Sequence, residues 1–274
     1  MNLFKLGAAL IVGVSPVSTV AAQSLAASDT ASAVVQRGPS LVRGRDLFFA
    51  AGLGAAIAAA MSADRSVQRS LQRPTAQSNG ALKGISNLTG GLGDPGSVII
   101  SAGLYFAGLA SHSRRTAALG MHTGESVVLG GLISEMVKSE IGRARPKYSP
   151  NDSHLFRAGK GFSDDHYASL PSTETTVSFA AATALSLGID RDWPGHARVV
   201  TPVAYSLASA VAFSRLYKNE HWLSDVVAGG GLGIASAVLV DRFNRRYSGN
   251  VFEKWFLPTS LVPARGGFAV AWSR

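Results

Sequence analysis

The chain has 274 residues, enough for one large domain or two small ones. At 46% hydrophobic and only 16% charged, with 30 glycines, it is too apolar for a disordered chain and suits close-packed helices. The absence of cysteine excludes disulfides and thiolate metal sites, and a net charge of +9 favours anionic partners: nucleic acid, anionic lipid head groups or phosphorylated small molecules.

The N-terminus reads as an export signal. Met1 to Lys5 is a short segment with one positive charge, Leu6 to Val20 is mostly apolar, and Val20 and Ala22 supply small residues at the −3 and −1 positions of a cleavage site. The competing reading is a first transmembrane helix, which the short run and small-residue ending disfavour. Residues 1–22 are therefore taken as a signal and 23–46 as a polar leader, basic towards its end. A mature protein starting near Gln23 would work outside the cytoplasm, in the periplasm or in the inner membrane with its site facing the periplasm.

Six apolar stretches follow: Leu47–Ala63, Ser97–Ser111, Thr116–Val137, Thr175–Ile189, Val199–Ser214 and Val226–Val240. Each reads as a helix, with Pro202 tolerated near the start of the fifth. The expected architecture is an all-α bundle with a six-helix core over residues 47–245. The joint 64–94 is rich in Ser, Gly, Gln and Arg, and 147–170 is a polar loop long enough to be functional. The tail, 246–274, is expected to pack on the domain, and the alternation in "GFAVAW" fits a short strand or hairpin. Membrane insertion stays open: a span needs about 20 apolar residues and these stretches are shorter.

Charge gathers in three places. In "KSEIGRARP", Lys138 and Arg145 lie seven positions apart, so a helix would bring both to one side and turn Arg143 away; the bland reading is a solvated basic helix end closed by Pro146. In "LPSTET", a helix starting near Ser172 aims its free N–H groups at whatever lies before it, with Ser172 or Thr173 as cap and Glu174 suited to the dipole. In "SRLYKNEHWLSD", Arg215 lies six residues before His221, and Asp225 follows His221 at i+4, where a carboxylate on a helix could orient the imidazole. An oriented histidine beside an arginine suits attack on phosphorus or oxyanion binding; the alternative is a helix-start histidine with a surface ion pair. Nucleic acid is not expected, because the basic residues are scattered.

Taken together the three segments resemble the type-2 phosphatidic acid phosphatase and vanadium haloperoxidase superfamily. Its signature is Lys, six residues, Arg-Pro; then Pro-Ser-Gly-His; then Ser-Arg, five residues, His, three residues, Asp. Lys138 to Arg145-Pro146 fits, as do Ser214-Arg215, His221 and Asp225; Pro171-Ser172 fits, but Thr173-Glu174 stands where Gly-His is usual. The resemblance covers about residues 45–243. It implies that Lys138, Arg145 and Arg215 hold phosphoryl oxygens, with Ser172 and the Thr173 amide as further donors. His221 would attack phosphorus to give a phosphohistidine, positioned by Asp225. No metal or other cofactor is implied for the phosphatase chemistry, and the substrate would be a phosphorylated lipid or small phosphate ester, with membrane association. A haloperoxidase would use the same cations for vanadate, but this short chain lacks the bulkier surroundings of those enzymes.

The family's second histidine protonates the leaving group, and here Glu174 takes its place. Glu174 as substitute acid is the preferred reading, with a diphosphate substrate asking least of it. His166, eight positions upstream, is a second candidate for the proton. The third is a non-catalytic member that binds phosphorylated lipid or glycan.

Overall fold

The computed structural model describes residues 40–257 and the two strands 260–264 and 267–271. The signal reading of 1–22 and the leader up to residue 39 lie outside the described residues.

All six apolar stretches are helices, five of them longer than the apolar run and the second equal to it in length: α1 (Gly44–Leu71), α4 (Gly96–Ala110), α5 (Arg114–Ile141), α6 (Thr173–Asp192), α7 (Pro194–Tyr217) and α8 (Leu223–Arg246). Two short helices, α2 (Pro74–Gln77) and α3 (Gly80–Thr89), fill the polar joint that reads as a loop. Asn79 starts α3 by accepting the Ala81 and Leu82 amides, a polar cap in a segment with too few apolar residues to show a helical period. The α7 helix starts five residues before its apolar run, so Pro202 is interior to it rather than near its start.

The six long helices alternate in direction. At one end of the bundle, Arg242 on α8 binds Asp46 on α1, and Arg191 on α6 binds Asp241 on α8. At the other end Asp64 on α1 receives the Ser224 amide, and α5 and α7 deliver Lys138 and Arg215. The α6 helix is central, packed against α5, α7 and α8. Glycine lets α8 approach it closely: a Cβ at Gly229 would stand 2.6 Å from the Ser172 carbonyl, and one at Gly233 would strike the Thr176 carbonyl. Polar Ser and Thr side chains in this packing mostly bond backward to their own helix, as Ser186 does to Ala182.

The tail turns back on the domain. A short helix, α9 (Val251–Phe256), places Glu253 3.5 Å from His122 and the Phe256 carbonyl under the Tyr105 hydroxyl. Beyond it, β1 (Ser260–Ala264) pairs antiparallel with β2 (Gly267–Ala271) as a hairpin.

Candidate active site

Helix α5 ends at Gly142, whose φ of 61° is the left-handed conformation that glycine adopts freely. A side chain there would also strike the Arg157 carbonyl. This termination changes the geometry expected of the first motif. Arg145 is not two turns along a helix from Lys138; it lies in the loop beyond, its amide donating to the His166 carbonyl. Arg143 does not point away into solvent either. Its side chain is wholly buried, with Nη1 on Asp225 (2.5 Å) and Ser224, and Nη2 on Asp64 (2.7 Å).

Second-motif residues open α6. Ser172 is fully buried and caps the helix, its Oγ accepting from the Thr175 amide and hydroxyl while its own N–H donates to the Asp225 carbonyl. The amides of Thr173 and Glu174 belong to the first turn, where no intrahelical acceptor exists. The Thr173 hydroxyl accepts from Lys138 Nζ at 2.7 Å and donates to Glu135. Lys138 also contacts Glu135 at 3.1 Å.

The third motif is arranged differently from a helical i, i+4 pair, because His221 precedes α8. Its Nδ1 lies 2.7 Å from the Ser169 carbonyl, which can only accept, so Nδ1 carries the proton and Nε2 faces the cations. Asp225 stands 3.9 Å from that Nδ1 and is used elsewhere: Arg143 takes one oxygen, and the Ser169 hydroxyl (2.6 Å) and Trp222 amide (2.8 Å) take the other. Asp225 therefore holds the segment that holds the histidine.

Around Nε2 the remaining residues converge. Arg145 Nη1 is 3.5 Å away. The Glu174 carboxylate bridges His221 Nε2 and Arg215 Nη1, at 3.4 Å from each. Arg145 is further tied to Glu220 and Asp165. His166 is over half exposed, with its ring stacked 3.7 Å from Tyr148.

Burial raises the Glu174 pKa by itself, but the adjoining His221 ring and the charges of Lys138 and Arg215 outweigh it and hold the carboxyl well below its usual range. Burial also sets the direction at His221: it pushes the imidazole below its ordinary value, against the opposing pull of Glu174, so the ring is neutral at neutral pH. The arrangement is a neutral, oriented nitrogen nucleophile among three cations, with an anion already seated beside it.

Residues 119–247 match the PAP2 superfamily model. Over 117 residues the chain is 30% identical to a lipid A 1-phosphatase of Porphyromonas gingivalis; the match takes in 43% of this chain and spans 20% of that relative's length. The fold resembles a transmembrane PAP2 type phosphatidylglycerolphosphate phosphatase from Bacillus subtilis, with a TM-score of 0.51 at 24% identity, covering 74% of this chain and 95% of that one.

Sequence reading missed Asp64, Ser169 and the burial of Arg143. Asp64 carried one usable signal, a lone carboxylate ending the apolar run "AGLGAAIAAAMSAD". Ser169 carried none, because it acts through its backbone carbonyl.

Proposed function

We propose that this protein is a metal-independent phosphatase of the PAP2 type that hydrolyses a phosphorylated envelope lipid through a phosphohistidine on His221. The observation that carries the reading is the position of His221 Nε2, with Nδ1 fixed on the Ser169 carbonyl and Arg145 and the Glu174–Arg215 pair beside it. The phosphoryl group takes the place that the Glu174 carboxylate holds in the resting site, between His221 and Arg215. Lys138, Arg145 and Arg215 neutralise its oxygens, and the first amides of α6 point at the same spot. Nε2 attacks phosphorus, the bond to the leaving oxygen breaks, and water later cleaves the P–N bond to release phosphate.

A lipid fits better than a soluble ester because an apolar groove of about 640 Å³ runs along α1, α7 and α8, lined by Phe49, Leu53, Phe213, Leu216, Leu223 and Val226. Leu216 follows Arg215 directly, and Leu223 lies two residues past His221. Helices α1, α7 and α8 are long and apolar enough to cross a membrane, and α1 exposes Leu47 and Phe48 outward. In this reading all three span it, with the cradle at one end of the bundle.

Acid-quenched protein after brief exposure to radiolabelled lipid phosphate should carry acid-labile, base-stable label that His221→Ala abolishes. Turnover without such label would refute the phosphohistidine. One observation favours a second reading, a binder without turnover: an ionised Glu174 repels phosphate. That reading requires His221→Ala to keep full affinity in a protein with no measurable hydrolysis.

A further inference from the structure

Resting on the phosphatase reading, one role remains unfilled: the group that protonates the leaving oxygen. Glu174 is held as a carboxylate by the charges of Arg215 and Lys138, so it has no proton to give in the resting site. The other carboxylates around the cradle are also clasped by cations. Glu135 sits on Lys138, Asp165 and Glu220 on Arg145, and Asp225 on Arg143.

Asp94 differs. It lies in the glycine-rich link "GGLGDP" between α3 and α4, which passes against Arg215 and the start of α6. The Gly90 carbonyl accepts from Arg215 Nη2 at 3.5 Å, and a Cβ on Gly90 would meet Arg215 and Lys218. A Cβ on Gly93 would stand 2.9 Å from the Glu174 Cβ and 3.2 Å from Val211, so only glycine lets the backbone lie this close to the start of α6. The next residue, Asp94, has a carboxylate oxygen that is buried without any hydrogen-bond partner. A buried, unpaired carboxylate oxygen is costly when ionised and far less so when the group carries a proton.

We infer that Asp94 is the general acid of this site, supplying the proton that the family's absent histidine would have given. The charges acting on it are Glu174 and Glu135 from α6 and α5, opposed by Lys138; burial and the two anions together raise its pKa above the ordinary carboxyl value. In the first step His221 Nε2 forms a bond to phosphorus, the P–O bond breaks, and the leaving oxygen takes the Asp94 proton. In the second, water attacks phosphorus, the P–N bond breaks with its electron pair returning to Nε2, the water's protons leave with the released phosphate, and Asp94 regains its proton from solvent.

The test compares Asp94→Asn, Asp94→Glu and wild type, as full-length protein in detergent, on a long-chain alkyl phosphate and on p-nitrophenyl phosphate. An alkoxide needs a proton to depart, whereas nitrophenolate does not. Asp94→Asn should lower kcat on the alkyl ester by about 10²–10⁴-fold while leaving the aryl ester and the His221 label nearly intact. Asp94→Glu should recover part of the loss. Equal rates on both esters, or an equal loss on both, would overturn the assignment. A wild type that hydrolyses neither ester would instead remove the phosphatase reading, and this role with it.

Discussion

Asp225 grips Arg143 at 2.5 Å and stands 3.9 Å from the imidazole it was expected to orient. The histidine is held one step removed, by the carbonyl of Ser169, whose hydroxyl Asp225 fixes at 2.6 Å. Breaking this chain should therefore disturb the fold and the chemistry together, in separable amounts.

The hub of that chain is Arg143 between Asp64 and Asp225, all three side chains wholly buried. Asp64→Ala leaves Arg143 paired to Asp225 but strips the buried Ser224 amide and hydroxyl of their acceptor, a loss of about 1–3 kcal/mol for each group left unsatisfied. It should lower the midpoint of thermal unfolding far more than Asp46→Ala, whose carboxylate is partly exposed at the opposite end of the bundle. Ser169→Ala keeps the carbonyl and removes only the bond to Asp225. About 1–3 kcal/mol of stability should go, with His221 still able to accept a phosphoryl group, as labelling would report.

Glu174→Gln removes a like charge from the place a phosphate must occupy. Charges about 4 Å apart at an effective dielectric of about 20 interact by roughly 4 kcal/mol, so inorganic phosphate should inhibit the variant at least about tenfold more strongly. Unchanged inhibition would mean that the carboxylate swings clear at no cost when the ligand enters.

The pH profile should be bell-shaped with its optimum on the acid side of neutral. Activity falls at low pH when His221 is protonated, and burial holds that event below the ordinary histidine value of 6.5. It falls at higher pH when Asp94 loses its proton, an event that burial and the neighbouring Glu174 and Glu135 move upward from 3.8. Asp94→Asn should abolish the high-pH limb for alkyl esters alone. The same His221 shift has a stability sign. Because the folded state holds the ring below its free value, its contribution is present above pH 6.5 and lost as pH falls through the folded value, which acid unfolding curves of wild type and His221→Asn would register.

Antiparallel α1 and α8 place residue 44 and the cradle at opposite ends of the bundle. If α1 crosses the membrane, a site facing the periplasm puts residue 44 on the cytoplasmic side. A cleaved export signal would put it on the other. The cysteine-free chain allows a direct answer. Single cysteines at Ser149, in the loop beside the site, and at His112, in the turn at the far end, should react with an impermeant maleimide from opposite faces of sealed vesicles. Labelling from one face would refute the spanning arrangement.

The sequence alone settled the helices and the chemical inventory. Runs of apolar residues broken by polar joints marked all six long helices, since burying such runs leaves a chain few alternatives. The spacings of Lys138, Arg145, Arg215 and His221 marked the residues that the proposed phosphate chemistry uses. Tertiary structure decided who holds whom. Gly142 ended α5 before the helical spacing could apply, which sent Arg143 inward and Arg145 to the cradle. Ser169 acts through a backbone carbonyl, and Asp94 matters because a glycine link lays it against α6 from 80 residues away in sequence. Spacing along a chain constrains only neighbours on one element; the partner of a buried charge is chosen by whichever distant segment can satisfy it.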